Sequence, residues 1–141
     1  MKKKKLIMGV LNDIHNLGLR VLEAFFLKEA DFEVIYIGAR LTQEEFIRAS
    51  LEVDADVILI SSSNGHAEID ARGMREKCQE AGIGNILLYI GGNLVITRQS
   101  RDWAEVEATF KNIGFDRAYP AKVQPQDIIK DLKQDLALLE K

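Results

Sequence analysis

Apolar runs alternate with amphipathic stretches from one end of this 141-residue chain to the other. The runs at 6–11, 33–37, 57–61, 86–90 and 115–119 are strand candidates. Four of the five are dominated by Val, Ile, Leu and Tyr, the composition of strands buried on both faces. The last, Phe-Asp-Arg-Ala-Tyr, is more polar and alternates, which places it at a sheet edge.

Helical signals fill the intervals. Thr42 and Glu45 have the T-x-x-E spacing of a capping box, for a helix running to about Val53. Trp103, Val106, Phe110 and Ile113 form one apolar stripe at helical spacing, and Ile129, Leu132, Leu136 and Leu139 form another. Pro125 suits the first position of that final helix. No internal repeat, linker or low-complexity segment interrupts the pattern. Five strands alternating with five helices predict one α/β domain spanning residues 1–141, with a doubly wound parallel sheet. At this length the flavodoxin-like strand order 2-1-3-4-5 follows, with ligands bound outside the carboxyl ends of the strands.

Composition adds limits. Hydrophobic residues make up 47% of the chain and charged residues 29%, as in an ordinary soluble protein. A net charge of −3 argues against nonspecific nucleic-acid binding. Lys2 to Lys5 read as a solubilising start before a buried strand, because the apolar run behind them is too short for a secretory signal. No segment approaches the roughly 18 apolar residues of a membrane span. The single cysteine, Cys78, cannot form an internal disulfide, and the expected setting is a reducing cytoplasm.

The chemistry gathers in three loops expected on one rim of the sheet. Strand 1 is followed by Asp13-x-His15-x-x-Gly18, strand 3 leads into Ser61-Ser62-Ser63-Asn64-Gly65-His66, and strand 4 ends at Gly91-Gly92-Asn93. A carboxylate two residues from an imidazole suits a histidine that binds a metal through one ring nitrogen and donates its other N–H to the aspartate. Gly91 and Gly92 remove side chains where a ligand or another backbone must approach closely. The serines place hydroxyls at the end of a buried strand. Taken singly, each piece also describes a plain turn or helix cap. His66 reads as an exposed loop histidine, Cys78 as a small core residue and Trp103 as packing. Asp70, Arg72 and Arg75 suit a solvated helix face or a contact with a partner subunit.

Other ligand sites known on this fold fail a residue check. Asn12 to Leu17 is not a Ser/Thr/Gly-rich phosphate loop. A phosphoacceptor receiver needs an aspartate ending strand 3 and a lysine ending strand 5, where this chain has Ser61 and Tyr119-Pro120. The dinucleotide fingerprint G-x-G-x-x-G is absent after strand 1.

D-x-H-x-x-G, a serine ending strand 3 and a later Gly-Gly together resemble the cobalamin-binding domains that hold their cofactor base-off with histidine on cobalt. The resemblance extends to Glu68-Ile69-Asp70, Arg75-Glu76-Lys77-Cys78, Glu80-Ala81-Gly82 and Gly114-Phe115-Asp116-Arg117-Ala118-Tyr119-Pro120. These segments are similar to the small subunits of glutamate mutase, also called methylaspartate mutase. The resemblance covers Lys5 to about Leu136. It implies that His15 is the lower axial cobalt ligand, with Asp13 as its hydrogen-bonding partner. Gly18 would open a slot for the displaced nucleotide tail, between the sheet and the first helix. Ser61, and with it Ser63, would contact the tail, and Gly91 and Gly92 would line the deep end. The chain departs from that family at Ser63-Asn64-Gly65-His66-Ala67, where Ser-x-Leu and then Tyr-Gly-Gln-Gly are usual, and at Ile14 and Asn16-Leu17, where Cys and Ala-Val are usual.

The resemblance also implies an activity. The chain would be the cobalamin-binding subunit of an adenosylcobalamin-dependent mutase that interconverts L-glutamate and threo-3-methylaspartate. A larger barrel subunit would bind the amino acid, in a heterotetramer with two copies of each chain. A small subunit of an acyl-CoA mutase, of the methylmalonyl-CoA type, shares the three-part motif. A corrinoid carrier or cobalamin sensor remains a third reading. Methyl carriers usually have a helical domain before the first strand, and here that strand begins at about residue 5.

Overall fold

The computed structural model describes residues 3–14, 17–63, 66–94 and 102–139. Along the chain lie β1 (Lys4–Val10), α1 (Leu17–Phe26), β2 (Phe32–Tyr36), α2 (Gln43–Val53), β3 (Val57–Ser61) and α3 (Ala67–Ala71). There follow α4 (Met74–Glu80), β4 (Leu87–Gly91), α5 (Trp103–Asn112), β5 (Arg117–Tyr119) and α6 (Pro125–Leu139). The strands are all parallel and pair in the order β2-β1-β3-β4-β5, as the pattern predicts.

Strand alternation decides which helices cover which face. Leu6, Met8 and Val10 point to one side, where Leu19, Leu22 and Phe26 of α1 and Ile128, Leu132 and Leu136 of α6 meet them. Ile7, Ile58, Ile60, Leu88 and Ile90 point to the other, against Phe46 of α2, Met74 and Cys78 of α4 and Phe110 of α5. Gly9 also lies on β1, and a Cβ there would stand 2.4 Å from Leu41 and 2.9 Å from Phe46. Its missing side chain is what lets α2 come close.

The Thr42 capping box forms, with Thr42 Oγ1 accepting from Glu45 N and Glu45 Oε1 accepting from Thr42 N, both at 3.2 Å. Three expectations need correction. The single helix expected between strands 3 and 4 is two short ones, α3 and α4, because Arg72 is extended and Gly73 left-handed at φ +86°. β2, whose apolar run suggests burial on both faces, has only Phe32 buried, in keeping with its edge position in the expected strand order. Leu139, read as part of the apolar stripe of α6, is exposed at the helix end.

Candidate functional site: a cleft at the carboxyl ends of the strands

Four strands end in one register row. Val10 pairs with Ser61, Ser61 with Gly91 and Gly91 with Tyr119. On the α1/α6 side of this row the sheet opens into a cleft of about 710 Å³. Leu19 and Leu22 of α1 line it, as do Pro125 and Ile128 of α6, with Ser61 and Gly91 at the strand ends. Its lining is apolar apart from the hydroxyls of Ser61, Ser63 and Tyr119, and no charged side chain lines it among the described residues. Volumes of roughly 300–1,000 Å³ with few placed polar groups are typical of cofactor and small-molecule sites.

Asp13 is the buried acid of the rim, only 6% exposed. One carboxylate oxygen accepts from Ile14 N at 2.7 Å and the other from Ser63 N at 2.8 Å. The same residue's carbonyl accepts from Arg40 N at 2.8 Å, and Asn12 N donates to Leu41 O at 2.9 Å. Three loops are thereby tied to one another through backbone groups around Asp13. Asn12 and Arg40 sit at φ +49° and +57°, in the left-handed region that side chains other than glycine enter at a cost.

The proposed site residues divide as follows. Asp13, Ser63, Ser61, Gly18, Gly91 and Gly92 come together on one rim, and all but Asp13 line the cleft. His15 lies outside the described residues. Gly18 faces open space, whereas a Cβ on Gly91 would touch Tyr119 at an ordinary 3.6 Å. Gly92 is different: its φ is +121°, and a Cβ would stand 2.4 Å from Ser62 O. Of the two reasons considered for this glycine pair, close approach of another backbone accounts for Gly92. Ser63 Oγ accepts from Asn93 N at 3.3 Å, joining the loops after β3 and β4.

Residues 4–113 match the family model described as the B12 binding domain. The glutamate mutase sigma subunit of Carboxydothermus hydrogenoformans is 48% identical over 140 residues, covering 99% of this chain and 100% of that one. The chain belongs to the glutamate mutase sigma-subunit family, built on a B12-binding domain. The sigma subunit of Clostridium tetani is 46% identical over 137 residues, 96% of this chain and 98% of that one. A cobalamin-binding protein of Desulfitobacterium hafniense shares the fold, with a TM-score of 0.73 at 18% identity over 94% of this chain and 59% of that longer one.

In this sigma-family chain the cleft has a side that the motifs do not mark. Tyr119, Pro120, Val123, Pro125 and Ile128 line it from β5 and α6. Ile128 sits one position before the apolar stripe of α6, which is the sequence signal available for it. The remaining candidates resolve plainly. His66 is exposed at the start of α3, and Cys78 is fully buried, with burial pushing its thiol up from the ordinary value. Trp103 packs partly buried against the core. Arg72 pairs with Glu68 on α3 at 3.1 Å. Arg75 is a correction: it turns inward, donating to Gly84 O, Ile86 O, Gly114 O and Asp116 Oδ2, so it clamps the loops below β4 and β5. No helix among the described residues is long and apolar enough to cross a membrane.

Proposed function

We propose that this chain is the cobalamin-binding subunit of an adenosylcobalamin-dependent glutamate mutase, interconverting L-glutamate and threo-3-methylaspartate with a larger barrel subunit. The whole of residues 1–141 serves as one cobalamin-binding domain. The observation that carries the reading is the apolar cleft of about 710 Å³ beside the rim that holds Asp13. Its size and apolar lining suit an aromatic nucleotide base, and Ser61 and Ser63 offer a few polar contacts. Gly18, with open space where a Cβ would stand, leaves the α1 side of the cleft clear.

His15 would hold the cobalt through one ring nitrogen, and Asp13 would fix the imidazole's tautomer by accepting its other N–H. The two backbone bonds to Asp13 hold that carboxylate in place. Ser61 and Ser63 meet polar atoms of the tail, Gly91 lets it approach the strand ends, and Gly92 lines the cleft beside it. When bound, adenosylcobalamin supplies radical chemistry through its cobalt–carbon bond.

Two measurements test the reading. Coexpression with a barrel subunit should give 3-methylaspartate from glutamate, and the small chain alone should give none. Bound cob(II)alamin should show histidine nitrogen coupling in its EPR spectrum. Persistence of that coupling in His15→Gly would remove His15 as the ligand.

A further inference from the structure

The wall of the cleft opposite α1 is attached to the sheet by a polar network. On β4 and β5, Tyr89, Arg117 and Tyr119 face α6; on α6, Asp131 and Asp135 are four residues apart and share a face. Tyr119 Oη donates to Asp131 Oδ2 at 2.6 Å, and Tyr89 Oη donates to Asp135. Arg117 grips Asp135 with both prongs of its fork, Nε to Oδ2 at 2.8 Å and Nη2 to Oδ1 at 2.9 Å. Its Nη1 lies 3.5 Å from Asp131 Oδ2. One guanidinium and two phenol donors thus serve two carboxylates. Burial, and then the neighbouring carboxylates, push both phenols well above their ordinary values, so they remain O–H donors at neutral pH.

This network is a poor device for stability alone. Its ion pairs are partly exposed, Arg117 at 31% and Asp131 at 26%, and such pairs contribute little net stability. Leu132 and Leu136 already bury α6 against the sheet. What a bidentate fork adds is geometry, because it fixes a helix in rotation and along its axis. The position of α6 matters to the cleft: Ile128 and Pro125 line it from the first two turns, and Tyr119 belongs to both lining and network. β5 has only three residues and sits at a sheet edge, paired to β4 alone.

We propose that Tyr119, Asp131, Arg117 and Asp135 form a positioning device for the cofactor-tail cleft, in which Asp131 acts through Tyr119 to hold its ring and Arg117 sets α6 against the strand ends. The proposal rests on reading this cleft as the tail site. Asp131, Arg117 and Asp135 are positioning residues, since none of them lines the cleft.

The test compares two corrinoids on the full chain, aquacobalamin with its nucleotide tail and diaquacobinamide without it, each titrated by absorbance. Tyr119→Phe keeps the ring and removes the hydroxyl; Asp131→Ala removes the acceptor. Each should weaken aquacobalamin binding about three- to tenfold, the scale of one hydrogen bond, and leave diaquacobinamide unchanged. Asp131→Asn keeps an acceptor for Tyr119 and should restore most of the loss. Thermal melts identify any variant that fails to fold, and the conservative Tyr119→Phe then carries the test. Equal weakening of both corrinoids, or weakening of neither, would overturn the positioning role. Gly18→Leu separates this outcome from failure of the cleft reading: it should erase the parent's preference for the tail-bearing corrinoid. If it does so while the network variants behave as the parent, only the network proposal falls. If the parent shows no preference, or Gly18→Leu retains it, the cleft is not the tail site.

Discussion

At Gly92 a Cβ would stand 2.4 Å from Ser62 O, on a backbone at φ +121°; at Gly18 a Cβ would meet nothing within 4 Å. Two glycines of one cleft should therefore respond in opposite ways. Gly92→Ala should cost about 1–3 kcal/mol of stability through strain, with or without ligand. Gly18→Leu lies in α1, where leucine is the better helix former, so the folded chain should gain up to about 1 kcal/mol while losing the tail-bearing corrinoid. Chemical denaturation beside corrinoid titration checks both; a destabilised Gly18→Leu would mean the space is not open. Asp13→Ala removes an acceptor shared by Ile14 N and Ser63 N. It should lower stability by about 1.5–3 kcal/mol and speed hydrogen exchange at the Ser63 amide. Unchanged exchange there would show that the loops are held together by other groups.

At the scale of the element, α6 gives a pH signature. The Arg117 guanidinium bonded to Asp135 holds that carboxyl below the ordinary carboxylate range, against the opposing effect of burial. A depressed carboxyl stabilises the fold above its unfolded pKa of about 3.9 and loses that contribution as pH falls through the lower, folded value. The raised phenols of Tyr89 and Tyr119 work in the opposite sense, and their contribution fades as pH rises above about 10. Melting temperature against pH should fall on both limbs. Asp135→Asn should flatten the acid limb below about pH 4, and an acid limb identical to the parent's would show that other carboxylates set it. Most of this helix was legible from its stripe of Ile129, Leu132 and Leu136, because apolar burial leaves a period in the sequence. The network was not, since Tyr89 and Asp135 are 46 positions apart and nothing local pairs them. The break at Gly73 was equally hidden: a glycine inside a helical pattern is tolerated often enough to carry no signal of its own. The rim was legible in Asp13, Ser61 and the glycine pair, because loop chemistry there departs from plain turns. The α6 side of the cleft is made of ordinary core residue types and left no such mark.

For the whole molecule, the proposed function places one cofactor between this chain and a larger subunit, and that arrangement implies reciprocal coupling. Adenosylcobalamin should tighten association with the barrel subunit by the same factor by which that subunit tightens adenosylcobalamin binding. Calorimetric titrations in both orders check the equality, and association indifferent to the cofactor would contradict the shared site. The sheet order has a further consequence, in time rather than in space. β1 is made first yet lies between β2 and β3, while α6 is made last and supplies one wall of the cleft. Chains emerge from their N-terminal end during synthesis. All five strands and the loops that meet at Asp13 therefore precede the α6 wall of the cleft in order of synthesis. On the proposed reading, a chain shortened before Ile128 would lack one wall of the cleft and should fail to hold the tail-bearing corrinoid.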